Sequence, residues 1–236
     1  MGRSSPRKPF SSEYIVYKIE FPLHSFGEYI KLTNSLISKE IEKANKRFNE
    51  SELEINKNIR SADNQKLEGN ERHEFIFGFY DSQAEQEFEI KNYYQEIFYS
   101  SIIMSLYSFL ERRLLSFCQA YENDHSIKIR EINGKGIHRS KIYIEKILAI
   151  KLQEVDLVWK QILRFGILRN LITHNEELRI LASNRSQIDD LKKIRGLKFE
   201  KEGKDIRIYY DGNIILTDLL GLIHKILSEV FNKKSS

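Results

Sequence analysis

One stretch of the chain, Gln161 to Glu177, places residue types that could do chemistry on the pattern of a buried helix. Among its regularly spaced apolar residues lie a guanidinium (Arg169), an imidazole (His174) and two amides (Asn170 and Asn175). A guanidinium can fork onto phosphate oxygens, an imidazole can take or give a proton near neutral pH, and an amide can hold either group in place. This combination indicates phosphate chemistry.

The spacing of these groups leaves three interpretations open. Asn170 and His174 are four residues apart and share a helix face, whereas Arg169 and His174 are five apart, about 140° around the axis. Arg169 must therefore swing its long side chain around the helix to join His174, or the two must meet across a partner copy of the same helix. The third interpretation is structural, because a polar cluster often only caps a helix C-terminus, where histidine also suits the dipole.

Three consecutive charges, residues 111–113, interrupt the apolar pattern of an earlier long helix. Since they point in three directions, at least one is expected to face the helix that carries Arg169. Glu111 could hold Arg169 or polarise His174, and the alternative is a surface salt bridge or a solvated charge. Arg113 is a candidate contact to RNA.

A glycine-containing turn, residues 133–136, supplies further cations before the next predicted helix. Lys135, His138 and Arg139 would contact an RNA backbone near the start of that helix. A lone Gly-Lys-Gly lacks the spacing of the Walker and dinucleotide-binding loops, so a plain turn is the alternative.

The run Arg169-Asn170-Leu171-Ile172-Thr173-His174 resembles the R-x4-6-H signature of the HEPN superfamily (higher eukaryote and prokaryote nucleotide-binding). As in many members, an asparagine directly follows the arginine, and the motif closes a long apolar helix in the second half of a helical chain. The earlier helix bearing Glu111 and the turn Gly134-Lys135-Gly136-Ile137 also resemble some HEPN proteins. The resemblance covers residues 90–232, and the first 80 or so residues resemble no family that we can name.

The resemblance implies a metal-independent endoribonuclease in a toxin or anti-phage defence role. Arg169, Asn170, His174 and Glu111 would be its catalytic residues, with His174 as general base or acid and Arg169 stabilising the phosphorane. The 2′-hydroxyl of RNA would attack the adjacent phosphorus and leave a 2′,3′-cyclic phosphate. The alternative is a non-catalytic HEPN module that binds nucleotide or RNA, or a scaffold within a larger defence complex.

The expected partners are RNA and a second copy of the chain. Residues 94–121 form a helix that is apolar on most sides, which must be covered by its own chain or by another subunit. A homodimer through this helix and residues 155–174 would join two motifs in one cleft, as HEPN nucleases are expected to do. The resemblance also implies an antitoxin or defence-complex partner. Adenylylated members often have a tyrosine two residues after the histidine, but this chain has Glu176 there.

Composition excludes several classes of site. The net charge of +4 over 236 residues is too small to predict nucleic-acid binding by itself, so an RNA site must be a local basic patch. A single cysteine, Cys118, excludes an internal disulfide and a cysteine-based zinc site. The histidines lack metal-ligand spacing, so we predict neither a metal nor a cofactor. No apolar run approaches the roughly 20 residues that span a membrane, and a cytoplasmic location is expected.

The fold is predicted to be mainly all-α, a HEPN-like helical bundle with a small C-terminal β-hairpin and two short N-terminal strands. The predicted parts are a flexible basic arm (1–12), an N-terminal extension of strand, long helix and strand (13–82), a HEPN-like helical domain (83–232) and a frayed tail (233–236). The predicted elements are strands at Tyr14–Phe21 and His73–Tyr80, helices at Phe26–Ile59, Gln83–Tyr121, Arg139–Leu152, Val155–Thr173, Ser186–Ile194 and Thr217–Phe231, a loop at Arg60–Arg72, and a hairpin of Leu197–Lys201 with Asp205–Tyr210.

Overall fold

The computed structural model describes residues 10–71, 73, 80–152, 155–174 and 178–232, with the backbone alone at 52, 64 and 80–92. The chain is mainly α-helical and carries one small antiparallel sheet of three strands. The predicted class, mainly all-α with a small β-hairpin, is therefore confirmed.

The N-terminal segment is helical from its first described turn. Helix α1 (Ser12–Ile15) begins where the Ser11 hydroxyl oxygen accepts a hydrogen bond from the Tyr14 N–H at 3.1 Å. It continues through a π-helical turn (Val16–Glu20) into the long helix α2 (Phe21–Gln65). The strand predicted for residues 14–21 is wrong.

The apolar residues of this segment follow a helical period as well as an alternating one. Ile15, Ile19 and Leu23 are four residues apart, and the last two are almost fully buried. With a serine cap before them, helical burial prevails over the β-branched composition that suggested a strand. The second predicted strand lies mostly outside the described residues. The loop predicted from residue 60 is wrong at its start, because α2 continues to Gln65.

Helix α3 (Tyr80–Ala120) closely matches the long apolar helix predicted from the sequence. Two short 3-10 turns follow it, at Glu122–Asp124 and Ile129–Glu131. Helix α4 (Gly136–Ile142) then continues as a π-helical turn (Tyr143–Ile147). The helix predicted from Arg139 to Leu152 thus begins earlier and ends earlier than expected. Helix α5 (Asp156–His174) carries the Arg169–His174 motif in its last two turns.

The sheet is built from strands β1 (Arg179–Leu181), β2 (Leu197–Glu202) and β3 (Asp205–Tyr210) in the order β1-β3-β2. The predicted hairpin is confirmed: Glu202 pairs with Asp205 across a turn in which Gly203 has a φ of +62°. β1 pairs with the other edge of β3, and the sequence analysis missed it. Helix α6 (Arg185–Leu191) connects β1 to β2.

The last helix, α7 (Gly212–Asn232), begins five residues before the predicted cap at Thr217. Asp211 caps it instead, since its Oδ1 accepts the Ile214 N–H at 3.1 Å. Thr217 lies inside the helix with its side chain exposed. The predicted cap was wrong because two cap-forming residue types occur close together, and the apolar pattern extends back to Ile215.

Five aromatic side chains join the N-terminal helix to α3 and α7. The Phe10 ring lies 4.7 Å from that of Tyr14, 5.6 Å from that of Phe117 and 4.9 Å from that of Phe231, measured between centroids. Phe117 and Phe231 are themselves 4.9 Å apart, and Tyr121 completes the group at 5.1 Å from Phe117. These separations are those of favourable aromatic pairs, so the group, here called the aromatic cluster, contributes to the core.

Contacts divide the chain into two compact units. One contains the described residues up to Tyr29 together with those from Tyr99 onward, and it includes α4 to α7, the sheet and the aromatic cluster. The other is Ile30–Phe98, in which Ile30, Ala44 and Ala62 are buried. The division falls inside α2 and α3, whereas the sequence suggested a boundary at residue 83. Within the described residues, no helix is both long enough and apolar enough to cross a membrane.

Candidate functional site

Arg169 lies near the end of α5 and is directed towards α3. Its Nη2 donates a hydrogen bond to Glu111 Oε1 at 3.1 Å, and the two side chains are 28% and 29% exposed. The guanidinium carbon also lies 5.0 Å from the centre of the Tyr107 ring, within the range of a cation–π contact. Of the roles considered for Glu111, the contact observed is the one with Arg169.

Tyr107 is a member of this site that the sequence analysis missed. It is almost fully buried, one helical turn before Glu111 on α3, and it packs against α5 at Gly166. A Cβ on Gly166 would lie only 2.5 Å from the Tyr107 hydroxyl oxygen, so a glycine is required for this close approach. Gly166, three residues before Arg169, was a sequence signal of a close approach on this side of α5, although it does not show which residue lies opposite.

Burial keeps the Tyr107 phenol protonated. Burial raises the pKa of Tyr107 above its ordinary value, and the nearby Glu111 carboxylate raises this pKa further, while Arg169 lowers it. The group therefore presents an aromatic face and a neutral hydroxyl at neutral pH. It can orient Arg169 but cannot serve as a base.

The predicted glycine turn packs on the same carboxylate. Gly136 has a φ of +54°, and a Cβ there would collide with Glu111 Oε1. Arg139 Nε donates to the Gly134 carbonyl at 2.8 Å, which ties the turn to the start of α4. The structure thus brings together Arg169, Glu111 and a turn that carries exposed Lys135, although they are distant in sequence. This set, with Tyr107, is here called the Arg169 cluster.

His174 and Asn170 lie on a different face of α5. Both side chains are exposed, and Asn175 to Glu177 lie outside the described residues. In the described part of the chain, His174 forms no hydrogen bond with Arg169, whose guanidinium contacts Glu111 on α3 instead. The arrangement in which Arg169 swings around the helix to His174 is therefore not the one observed.

Of the remaining candidate RNA contacts, two lie beside the glycine turn and one faces away from the Arg169 cluster. His138 is exposed and Arg139 half-buried beside the glycine turn. Arg113 is two residues after Glu111, about 200° around α3, and therefore faces away from the Arg169 cluster. Its guanidinium lies 5.2 Å from the centre of the Phe109 ring, and its Nε is buried without a hydrogen-bond partner among the described residues.

Cys118 is packed inside the first unit. Its Sγ lies 3.7 Å from the Ser140 carbonyl oxygen, and burial raises the pKa of the thiol to about 12. A thiol held so far from ionisation is a poor nucleophile at neutral pH. Across the described ranges, no three His, Cys, Asp or Glu side chains are grouped as metal ligands.

The apolar character of α3 is satisfied within one chain in the first unit. Ile103, Leu106, Tyr107, Leu110 and Leu114 are all at most 4% exposed. Of the two possibilities considered for this helix, burial by other parts of the same chain therefore applies to these residues. Among the side chains described on α3 and α5, the large apolar ones that remain exposed are Tyr93, Tyr94, Ile97, Leu115, Leu157 and Leu163.

Comparisons of the chain with protein-family models, curated proteins and solved structures find no match. A function is therefore inferred from the residues of this chain and their geometry.

Proposed function

We propose that this chain is a metal-independent endoribonuclease of HEPN type that acts as a toxin or in anti-phage defence. The observation that carries the proposal is a half-buried guanidinium, Arg169, held by Glu111 and by the face of Tyr107 beside a turn with an exposed lysine. An exposed imidazole, His174, lies at the end of the same helix.

The reaction needs only groups that these residues and water supply. The 2′-oxygen of a ribose attacks the adjacent phosphorus, the bond from phosphorus to the 5′-oxygen breaks, and the products are a 2′,3′-cyclic phosphate and a 5′-hydroxyl. His174 takes the proton from the 2′-hydroxyl or gives one to the leaving 5′-oxygen, and a water molecule makes the other proton transfer. A positioned acid or base contributes roughly 10²- to 10⁴-fold to the rate. Arg169 stabilises the charge that develops on the phosphorane, and Asn170 orients the imidazole or a phosphate oxygen.

The contact with Glu111 favours this role for Arg169. Among the described residues, the carboxylate takes one of the five N–H donors of the guanidinium, which leaves donors for phosphate oxygens. An arginine that is already oriented needs less reorganisation when charge develops on a substrate.

The separation of the two groups on α5 supports a site shared between two copies. Leu163, Asn170 and His174 follow one face of the helix, and the apolar Leu163 side chain is 38% exposed. A second α5 packed on this face would bring the two motif-bearing helices side by side, so that one RNA strand could contact His174 of one protomer and Arg169 of the other. RNA would bind where the two motifs meet.

The first test is cleavage of labelled single-stranded RNA by the purified chain in EDTA. We expect cleavage with 2′,3′-cyclic phosphate ends, loss of cleavage in His174→Ala, and full cleavage in the matched control His224→Ala, whose imidazole is exposed on α7. Growth arrest on expression of the parent chain but not of His174→Ala would support the toxin role. Undiminished cleavage by His174→Ala would remove this residue from the mechanism.

A mixture of two inactive variants tests the shared site. In a two-fold dimer of Arg169→Ala with His174→Ala, one of the two composite sites keeps both groups. Random assortment makes half of the dimers mixed, so the mixture is expected to recover about a quarter of the parent activity. No recovery in a mixture proven to exchange subunits would show that each site uses residues of one chain.

One observation favours the second candidate, a non-catalytic module that binds nucleotide or RNA. Within one chain, Arg169 and His174 lie on different faces of α5, so an oriented guanidinium can bind phosphate without an imidazole beside it. Tight RNA binding with no cleavage, lost in Arg169→Ala but kept in His174→Ala, would support this candidate over the nuclease.

A further inference from the structure

A polar cleft lies on the side of α5 opposite His174. This cleft has a volume of about 310 Å³ and lies between the first half of α5, the turn after α6 and the middle of α7. It exists partly because position 221 has no side chain: nothing lies within 4 Å of where a Gly221 Cβ would be. Thr217, Gly221 and Lys225 are spaced four residues apart and follow one face of α7 along the cleft.

The charge in the cleft is predominantly positive. Lys193, Arg195 and Lys225 line it together with a single carboxylate, Asp218, and the Lys193 ammonium lies 3.5 Å from Oδ1 of Asp190, which is outside the lining. Arg195 donates twice to Asp218, at 2.6 and 3.1 Å, so the carboxylate fixes the direction of the guanidinium and leaves its other donors available. Lys225 forms no ion pair or hydrogen bond with any residue that the structure describes.

The remaining walls suit a small molecule. Ile194 and Leu222 are apolar, and Phe165 underlies the cleft from α5. Gln161 donates to the Lys193 carbonyl at 3.3 Å, which ties the turn after α6 to α5 and fixes the backbone beside Lys193. The volume is at the lower end of the range for small-molecule sites, which combine apolar walls with a few placed polar groups.

We propose that this cleft binds a phosphate group of a small molecule. Lys225, and Lys193 beside its Asp190 partner, act as point charges. The oriented guanidinium of Arg195 supplies parallel N–H donors, and phosphate oxygens favour this combination. The apolar walls accept a short apolar part attached to the phosphate. This site is separate from the Arg169 cluster and does not rest on the proposed nuclease activity.

The experiment is calorimetric titration of the full chain with pyrophosphate in about 150 mM KCl, where long-range attraction is screened. The parent chain is expected to show saturable binding to one site. Lys193→Ala combined with Lys225→Ala should weaken it about tenfold or more, the effect of losing one or two charge-assisted contacts. The matched control, Lys192→Ala with Lys198→Ala, removes the same charge from exposed positions outside the cleft and should bind as the parent does.

A third variant tests whether binding needs the open volume of the cleft, without changing its charge. Gly221→Leu fills the cleft at an open helical position and leaves every lysine and arginine in place, so it should fold normally and lose pyrophosphate binding about tenfold or more. Absent or unsaturable binding, an equal loss in the matched control, or unchanged binding by Gly221→Leu would each overturn the proposal. Single-stranded RNA that displaces pyrophosphate and binds more tightly, through the same two lysines, would overturn it in favour of an RNA path.

Discussion

The two ends of the Arg169–His174 motif have different surroundings on one helix. Arg169 is held by a carboxylate and an aromatic ring from α3, and the backbone of the glycine turn packs behind that carboxylate. His174 is exposed at the end of α5, and none of the described residues binds its side chain. The described part of one chain therefore positions the guanidinium, whereas it supplies no side chain that holds the imidazole.

The largest loss of stability should follow removal of the Tyr107 side chain. Tyr107→Ala removes a buried aromatic side chain between α3 and α5 and should lower the free energy of unfolding by about 3–5 kcal/mol. Urea denaturation followed by circular dichroism measures this loss. A loss of unfolding free energy below about 1 kcal/mol would mean that Tyr107 is not a tightly packed side chain and does not hold Arg169 in place.

Alkaline pH provides a second test of the same support. The pKa of Tyr107 is raised in the folded chain, so its contribution to stability is present below its ordinary value of 10.0 and is lost as pH rises above that value. In the unfolded chain the phenol ionises first, and the parent should lose up to about 1.4 kcal/mol per pH unit relative to Tyr107→Phe. Urea denaturation of both chains between pH 9 and about 11.5 measures the difference. If the free energies of unfolding of the two chains changed with pH in parallel, the Tyr107 phenol would not be buried and protonated in the folded chain.

The ion pair itself should make a smaller contribution. A double-mutant cycle of Glu111→Gln and Arg169→Gln is expected to give a coupling of about 0.2–1 kcal/mol, because both side chains are partly exposed and screened. Raising the salt concentration should reduce the coupling. A salt-independent value well above this range would indicate that the pair is desolvated in solution.

The smallest effect on stability is expected at the other end of the motif. His174→Ala and Asn170→Ala alter exposed side chains and should change the free energy of unfolding by no more than about 0.5 kcal/mol. The same urea denaturation measures these values. A loss above about 1 kcal/mol in dilute, monomeric protein would show that His174 is anchored within its own chain, and the contrast with Arg169 would disappear.

Much of the helical architecture could be predicted because long apolar patterns leave few alternatives. The bounds of α3 and α5 and the β2–β3 hairpin follow from periodicity and a glycine turn. The strand β1 could not be predicted, because three residues carry too little pattern and its pairing comes from β3. The helix at residues 14–21 was missed because β-branched composition outweighed a four-residue spacing that only burial makes decisive.

The candidate site could be predicted only in part. Arg169, Asn170 and His174 were apparent as a motif, and Glu111 was apparent as a charge within an apolar helix. Which residue of α3 would oppose Arg169 depends on the distance between two helices, and no pattern within either helix gives that distance. Tyr107 therefore became visible only once the close approach at Gly166 was known. Whether the motif cleaves RNA stays a prediction.

The aromatic cluster has a consequence for how the chain is made. Phe10 packs against Phe231, so a contact near the first described residue waits for a partner more than 200 residues later. During synthesis, Phe10 can pack on Phe117 once α3 has left the ribosome, but its contact with Phe231 must wait until α7 emerges. One side of this aromatic cluster is thus open to chaperones and proteases until α7 has been made.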